Sequence, residues 1–500
     1  MRQRLRDLVE RATPSGGTGE RAIKSSVWLV TQNLLDRGLQ LVTLVVIGRI
    51  VGPEAIGLVG IALLALAAMD EFTSIGLRDA LVQREADDVD EFLSTTWLLE
   101  TTRGLGIALV VFLAAPLVAT VFAEPRATDI VRVIGLSPLA LGLKNPGVIY
   151  FQKNLDYHKQ FVYQTSGSIV QFVVAVSYVL LVPTVWSYVV GYVAGNVARL
   201  VVSYAIHGFR PSLQFDREAA KDMIGYGKWI TGSSIVYFIY SQGDDAFVGW
   251  LLGPAALALY QYAYRFSNAP ATEFTQVVGK VMFPTYSKFQ NDLPRVRSAF
   301  MRSFRFSGLL SVPMAFGIVV VAPSFVRTFL GPTWVEMIPA MQVLAVYGML
   351  RALGRNFGPL WKALGRPDLT TKIGVLRIVL VGLLVYPVTE RFGITGIALL
   401  ITALYVFPIF PIDIYLIGSM LDTRMTDIYA ELLYPLVAGA LMAGATWWVR
   451  ETIAASPPVE FVGVVLTGVV TYPLAVLLVE ELSNWGIRQD ITMFLDGVRS

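Results

Sequence analysis

Residues 104–122 read GLGIALVVFLAAPLVATVF and carry no charged side chain. A helix of about 20 apolar residues crosses a hydrocarbon core roughly 30 Å thick, and such blocks recur along the whole 500-residue chain. The chain is 55% hydrophobic and only 15% charged, whereas soluble proteins are about 25% charged. Because lipid offers no hydrogen-bond partners, each block must satisfy its backbone internally. The sequence therefore predicts an all-α, polytopic membrane protein.

Hydropathy and helix breakers predict about fourteen transmembrane helices. Their approximate bounds are 27–50, 55–80, 92–122, 128–151, 161–182, 186–206, 223–250, 255–286, 298–322, 338–361, 371–389, 393–418, 430–450 and 460–480. Lysine and arginine are concentrated in alternate connectors, for example Lys153, Arg210 and Arg366. By the positive-inside rule this asymmetry predicts a cytoplasmic (inner) membrane protein with both termini in the cytoplasm. Residues 1–26 are then a basic N-terminal segment and residues 483–500 a cytoplasmic tail.

An internal repeat organises these spans. The motif Gly48-Arg-Ile-Val-Gly52-Pro53 recurs as Gly249-Trp-Leu-Leu-Gly253-Pro254, an offset of 201 (from 48 to 249), and Lys144-Asn145 corresponds to Arg355-Asn356. An even number of spans separates the copies, so both halves have the same orientation, as in transporters built from parallel repeats. We predict six-helix lobes at 27–210 and 218–420, two additional helices within 428–482, and a central cavity between the lobes. The alternative is that the motif merely marks two tight outer turns.

What the sequence lacks excludes several functions. A net charge of +3 gives no footprint for binding nucleic acid, and the absence of cysteine removes thiolate catalysis and Cys-ligated zinc. Neither a Gly-x-x-x-x-Gly-Lys-Ser/Thr loop nor a His-Glu-x-x-His motif occurs. We therefore predict a protein that is not an enzyme and that needs no cofactor or metal.

Several short motifs, in order along the chain, resemble those of one transporter family. They are GRIVGPEAIG at 48–57, GKWITGSS at 227–234, DDAFVGWLLG at 244–253, LYQYAYR at 259–265 and VGKVMFP at 278–284. With them the chain resembles flippases of the polysaccharide-transporter (Wzx-type) branch of the multidrug/oligosaccharidyl-lipid/polysaccharide exporter superfamily. The similarity is greatest to the colanic-acid-exporter-like members.

This resemblance implies an architecture and a substrate. The architecture is two six-helix bundles, alternately open to each side of the membrane, with a cationic cavity between them. The substrate is a polyprenyl-diphosphate-linked oligosaccharide that is turned from the inner to the outer leaflet of the membrane lipid. The protein would act as a monomer alongside glycosyltransferases and a polymerase. The alternative is a cation-coupled multidrug exporter of the same superfamily.

Ionisable side chains inside predicted spans are costly to bury, so each is a candidate for a site. Arg351, Arg355 and Lys362 fall within roughly 40° on one face of an ideal helix, which favours an anionic partner. The fourth and tenth spans are both interrupted by proline and glycine, and paired broken helices are typical of transporter binding sites. Arginine and lysine both suit a diphosphate. The predicted cationic substrate-binding residues are Arg37, Arg103, Lys144, Arg265, Arg351 and Arg355, supported by the amides Asn33, Asn145 and Asn356.

Other interpretations of these charges stay open. Asp36 with Arg37, and Glu100 with Arg103, are alternatively ion pairs in which the two side chains neutralise each other. Arg265 is alternatively a structural residue stacked on neighbouring tyrosines. Coupling to Na⁺ or H⁺ is predicted at Asp36, Asp244 and Asp245, although the last two alternatively cap a partner cation. Cations near span ends alternatively reach the membrane interface with their long side chains, namely Arg49, Arg78, Lys153, Arg302 and Lys362.

Overall fold

The computed structural model describes residues 18–73, 89–453, 456–483 and 485–486 of the chain. Side chains are described within these ranges except at 18–24, 26, 89–92, 217–233 and 269–281. Over the described part the chain is helical, without a β-strand, so the predicted all-α class is confirmed. Arg78 and most of the predicted segments 1–26 and 483–500 lie outside the described residues.

Two compact units divide the chain, Met1–Ala258 (the N unit) and Leu259–Ser500 (the C unit). The predicted lobes, 27–210 and 218–420, follow the sequence repeat rather than compactness, and their bounds stay a prediction. A long helical run, α9 (Arg217–Lys288), contains the boundary between the units.

The N unit is built from eight helices before α9, within the described residues. They are α1 (Thr18–Val51), α2 (Pro53–Phe72), α3 (Val89–Val121), α4 (Ala127–Ile134), α5 (Ser137–Gly142), α6 (Ile149–Lys153), α7 (Tyr157–Leu181) and α8 (Trp186–Ile206). A 3₁₀ turn, Pro146–Val148, precedes α6. The predicted fourth span is therefore a broken helix, as its proline and glycine content indicates.

The C unit continues from α9. Its helices are α10 (Leu293–Phe325), α11 (Ile338–Gly354), α12 (Phe357–Ala363), α13 (Asp368–Leu404), α14 (Phe410–Leu421), α15 (Met425–Thr452) and α16 (Pro457–Ser483). Shorter π and 3₁₀ segments occupy Val326–Leu330, Pro332–Met337 and Tyr405–Ile409. The predicted tenth span is also broken, between α11 and α12.

The described helices account for the predicted spans. Ten helical runs in the described part are long and apolar enough to cross a membrane. Two of them, Ser234–Asn268 and Asp368–Leu421, are each divided by a glycine with non-helical dihedrals, Gly253 and Gly393, and so make two spans each. Adding α1 and the broken run Ala127–Lys153 gives about fourteen spans, as hydropathy predicts.

The repeated Gly-Pro motif forms the same turn twice. Gly52 and Gly253 both have φ +84°, with ψ of 169° and −178°. Glycine adopts this region without the steric cost that a side chain would bring. A proline follows each glycine at the start of the next helix, where its missing N–H is not needed. The identical conformation supports the interpretation of the motif as one element copied twice.

Small residues bring the helices of the N unit into close contact. Gly57 of α2 lies against the backbone of Pro254, and a Cβ at Gly57 would overlap that backbone. Gly104 of α3 lies in the same way against Pro138, and Gly142 of α5 against the backbone of Glu100. Close approach through small residues is the usual means of packing helices in a membrane. These contacts fix α3 beside α5, and so position the polar residues described below.

In the C unit, the two additional helices pack on α10. Arg305 of α10 makes a bidentate ion pair with Glu431 of α15, at 2.7 and 2.9 Å. The indole N–H of Trp485 donates to the same carboxylate at 3.0 Å, and the Arg305 guanidinium lies 5.2 Å from the centre of the Trp485 ring. Tyr472 of α16 donates to the carbonyl of Leu309. The helices that stand outside the repeat are thus attached through polar contacts as well as apolar ones.

Candidate substrate cavity

A polar cavity of about 610 Å³ lies inside the N unit, which we name the N-unit cavity. Side chains of α1, α3, α7 and α8 line it, together with the break after α5. Gln164, Ser168 and Gln171 share one face of α7 by their helical spacing. Tyr188, Tyr192, Asn196 and Arg199 share one face of α8 in the same way. A cavity of this volume is in the range of small-molecule sites.

Lys144 enters the cavity from the break between α5 and the 3₁₀ turn. Its ammonium group pairs with Glu100 of α3 at 3.0 Å, and about a fifth to a quarter of each side chain is exposed. Two further bonds hold α3 against this break, from Thr101 to the carbonyl of Gly142 and from Trp97 to the carbonyl of Leu143. The predicted cation is present in the cavity, but a carboxylate partly neutralises it.

Arg103 lines an adjoining cavity of about 470 Å³ whose walls also include Glu100, Lys144 and Tyr192. Its guanidinium pairs with Asp70 of α2 and donates to the backbone carbonyl of Thr73. The alternative in which Glu100 and Arg103 neutralise each other is therefore wrong. The i, i+3 spacing suggests a local pair, but each residue finds its partner on another element.

Three predicted residues of α1 meet at the N-unit cavity, namely Asn33, Asp36 and Arg37. Arg37 donates to Gln40 at 3.2 Å. The Oδ1 atom of Asp36 is buried and has no hydrogen-bond partner among the described residues. Asp36 therefore offers an acceptor that the folded chain does not use.

Asn145 is adjacent to Lys144 in sequence but does not line the cavity. Its side chain is fully buried. The amide group donates to the carbonyls of His207 and Phe209 at 3.2 and 2.8 Å, and its oxygen accepts from the N–H of Gly147 at 2.9 Å. The expectation that Asn145 supports substrate binding is therefore corrected, because these bonds use its amide to hold the broken helix against the end of α8.

Asn356 has an equivalent structural role in the C unit. It is 1% exposed, donates to Ser307 and to the carbonyl of Leu353, and accepts from Ser303 at 2.6 Å. The repeat thus places a buried asparagine in both broken spans, where each satisfies polar groups that the interruption leaves open. Asn356 is a structural residue, and its predicted role as a substrate-supporting amide is corrected.

Arg351 of α11 belongs to a cluster of arginine and tyrosine inside the C unit. It donates to the hydroxyl of Tyr264 and lies 5.7 and 5.8 Å from the ring centres of Tyr264 and Tyr347. Arg377 of α13 is 7% exposed, donates to Tyr347 and lies 5.2 Å from the centre of the same ring. Two guanidinium groups therefore converge on one aromatic ring.

The remaining cations of the C unit are placed differently. Arg355 is half-buried at the end of α11, where its backbone N–H donates to the backbone carbonyl of Arg351. Arg265 is half-buried on α9, and among the described contacts no tyrosine ring stacks on its guanidinium. One of the neighbouring tyrosines, Tyr264, has the guanidinium of Arg351 over its ring.

Asp244 and Asp245 are half-buried on α9, and neither lines the two cavities described above. Their neighbour Gln242 does line the smaller cavity. A role of this pair in ion coupling stays a prediction.

Two arginines and one acid were missed by the sequence analysis. Arg199 lines the N-unit cavity, and Arg377 belongs to the arginine-tyrosine cluster. Asp413 of α14 is 3% exposed, and its Oδ1 atom has no hydrogen-bond partner among the described residues. All three lie within predicted spans, so the rule that intramembrane ionisable residues are site candidates was sufficient to find them.

The fold matches that of a solved membrane protein. Over 92% of this chain and 99% of the other, it is similar to the solved structure of the lipid II flippase MurJ in an inward closed conformation, with a TM-score of 0.71 and 15% sequence identity. At this identity the comparison shows the shared fold.

Curated proteins of known sequence are similar to most of the chain. The chain is 25% identical to the lipopolysaccharide biosynthesis protein WzxC of Escherichia coli (strain K12), over 72% of this chain and 73% of that protein. It is 24% identical to the teichuronic acid biosynthesis protein TuaB of Bacillus subtilis (strain 168), over 74% and 76%. A family model described as polysaccharide biosynthesis protein matches residues 46–339, more than half of the chain, so the chain belongs to this family. The resemblance based on short motifs is thereby confirmed.

Proposed function

We propose that this chain is a flippase that moves a lipid-diphosphate-linked oligosaccharide from the inner to the outer leaflet by alternating access. The observation that carries the proposal is the N-unit cavity, a polar space of about 610 Å³ inside a unit of apolar helices. Relatives named for lipopolysaccharide and teichuronic acid biosynthesis, and a fold shared with a lipid II flippase, support the same function.

The physical problem for such a protein is the polar headgroup of its substrate. Sugar hydroxyls and a diphosphate lose their hydration in a hydrocarbon core, and each unsatisfied polar group then costs several kcal/mol. A cavity lined by amides, hydroxyls and charged side chains replaces those water contacts. The lipid tail needs no polar cavity, because it can stay in the hydrocarbon core of the bilayer.

We propose that the predicted cations bind the diphosphate. In the N unit these are Arg37 and Lys144, which line the cavity. In the C unit they are Arg351 and Arg355, of which Arg351 converges with Arg377 on Tyr347. Two like charges that approach one ring repel each other, and a bound anion would offset that repulsion. Arg103, which pairs with Asp70, and Arg265 complete the proposed set of cations.

Ion coupling and membrane orientation are part of the same proposal. Asp36 lines the N-unit cavity and has a buried oxygen without a hydrogen-bond partner in the described chain, which suits a coupled Na⁺ or H⁺ better than the positions of Asp244 and Asp245 do. We propose that both termini are cytoplasmic, and that the protein works as a monomer with glycosyltransferases that make its substrate and a polymerase that uses the product.

The alternative of a multidrug exporter is less well supported. A pocket for cationic drugs should contain an excess of carboxylates, whereas three cations and two carboxylates line the N-unit cavity among the described residues. The names of the curated relatives also refer to polysaccharide biosynthesis.

Reconstitution in liposomes tests the proposal. The probe is a short-chain polyprenyl-diphosphate oligosaccharide whose terminal sugar can be removed by an added glycosidase. With the protein present, the accessible fraction should rise from the outer-leaflet share towards the whole. Liposomes that hold the protein yet match protein-free liposomes would overturn the proposed function.

Two variants test the cations. Arg355→Gln removes one C-unit cation, and Lys144→Met combined with Glu100→Gln removes one N-unit cation without leaving its carboxylate unpaired. Each should lower the initial rate by about tenfold or more, since a charge-assisted hydrogen bond contributes about 1.5–3 kcal/mol. Arg295→Gln is the matched control, because Arg295 is exposed and its contacts are local, an ion pair with Asp292 and a cation-π contact with Phe289. Full activity in both test variants would contradict the assignment.

A further inference from the structure

Arg199 lines the N-unit cavity and makes no ion pair with a carboxylate among the described residues. One terminal nitrogen donates to Asn196 at 2.9 Å and the other contacts Ser168 at 3.4 Å. Its Nε atom is buried without a hydrogen-bond partner in the same part of the chain. Lys144, in contrast, pairs with Glu100.

The position of Arg199 is fixed by its surroundings. The side chain crosses from α8 to α7 over Gly167, where a Cβ would overlap the guanidinium and its stem. Asn196 lies one turn before Arg199 and holds one end of the guanidinium. A glycine that makes room and an amide that orients the group together give a preorganised donor rather than a side chain that extends freely.

The charges that line the cavity leave one positive charge over. Arg37, Lys144 and Arg199 are the cations, and Asp36 and Glu100 are the carboxylates. Three positive against two negative charges leaves an excess of one. An excess of one positive charge suits a ligand group with a single negative charge.

The lining around Arg199 combines aromatic rings with amides, which suits a saccharide. Tyr188 and Tyr192 have ring planes 12° apart with centres 6.5 Å apart, and both line the cavity. Aromatic faces offer flat apolar surface against which the C–H face of a sugar ring can pack. Gln164 and Gln171 face the same space, and amides both donate to and accept from hydroxyl groups.

We infer that the part of the N-unit cavity around Arg199 binds the saccharide of the substrate and that Arg199 pairs with the carboxylate of an acidic sugar, such as a uronic acid. The inference rests on the proposed function and narrows its substrate class. A planar guanidinium can donate two parallel hydrogen bonds to a carboxylate, and this geometry adds both energy and specificity.

The test compares two probes that differ only in one group. Both are short-chain polyprenyl-diphosphate disaccharides; one ends in glucuronic acid and the other in glucose, so the diphosphate is the same. In the liposome assay, the unaltered chain should move the acidic probe about tenfold faster than the neutral one. Arg199→Gln should remove that preference by slowing the acidic probe alone, and Arg199→Lys should keep part of it. Arg295→Gln should keep all of it.

Each other outcome has a defined meaning. Equal rates for the two probes with the unaltered chain would overturn the inference and leave the proposed function intact. Arg199→Gln could instead slow both probes by the same factor while Arg199→Lys keeps the full preference for the acidic probe. That result would place Arg199 on the diphosphate and would also overturn the inference. Failure to move either probe would overturn the proposed function and the inference together.

Discussion

At the scale of single residues, hydrogen-bond partners separate binding candidates from structural residues. Asn33 and Asn145 were predicted to act alike, as amides beside a cation. The structure places Asn33 at the N-unit cavity, whereas Asn145 is fully buried and bonded to three backbone groups. Sequence alone could not distinguish them, because two of the three partners of Asn145, the carbonyls of His207 and Phe209, lie 62 and 64 residues further along the chain.

This difference predicts opposite effects of two alanine substitutions. Asn145→Ala should lower the free energy of unfolding by about 2–4 kcal/mol, because it leaves buried carbonyl and N–H groups without partners. Asn33→Ala should leave it unchanged, because Asn33 is exposed. The thermal unfolding midpoint of the purified protein in detergent measures both. An Asn145→Ala protein as stable as the Asn33→Ala protein would refute the structural role.

At the scale of helices, the sequence predicts where a helix is interrupted but not which side chains form ion pairs between helices. The fourth and tenth spans were expected to be interrupted because each contains proline and glycine, and both are broken in the structure. The pairs Lys144–Glu100 and Arg103–Asp70 were not expected. Their formation depends on how closely α2, α3 and the break after α5 approach one another, and that distance is set by tertiary packing.

The contact between Gly57 and Pro254 makes a prediction at this scale. Gly57→Ala would place a methyl group against the backbone of Pro254, so a helix or the turn has to shift, and overpacking of this kind typically costs 1–3 kcal/mol or more. Gly106→Ala is the matched control, since Gly106 is an exposed helical glycine with nothing within 4 Å of the added carbon. The yield of folded protein and its unfolding midpoint should fall only for Gly57→Ala. Equal yields and unfolding midpoints for the two variants would show that the turn at Pro254 can move without loss of stability.

At the scale of the whole molecule, membership of the family and the all-α class follow from composition and motif order, whereas the distribution of charge does not. The six predicted cations were expected to line one cavity. Within the separate units, the structure shows a nearly balanced cavity in the N unit and an arginine-tyrosine cluster in the C unit, and a single cavity lined by all six cations stays a prediction. Hydropathy identifies the spans but cannot show which faces of them meet.

Attachment of the two additional helices to the C unit is testable at this scale. Glu431→Gln would weaken three contacts at once, the two from Arg305 and the one from Trp485. Compared with the unaltered chain, hydrogen exchange in α15 and α16 should then become faster, whereas exchange in α11 should not change. The reason is that a charge-assisted pair with little exposure holds α15 and α16 in place. Glu451→Gln serves as the control at an exposed site of α15. Unchanged exchange in Glu431→Gln would show that apolar packing alone attaches the helices.

The contact between Trp485 and Glu431 has a practical consequence for handling the protein. Hydropathy puts the end of the last span near 480, which invites a purification tag or fluorescent fusion at that point. The indole that completes the Glu431 network lies beyond it, and the N–H of Gly486 donates to Glu480 at 3.1 and 3.2 Å. A fusion joined before Gly486 would cut these bonds, whereas one joined well after it would leave them in place.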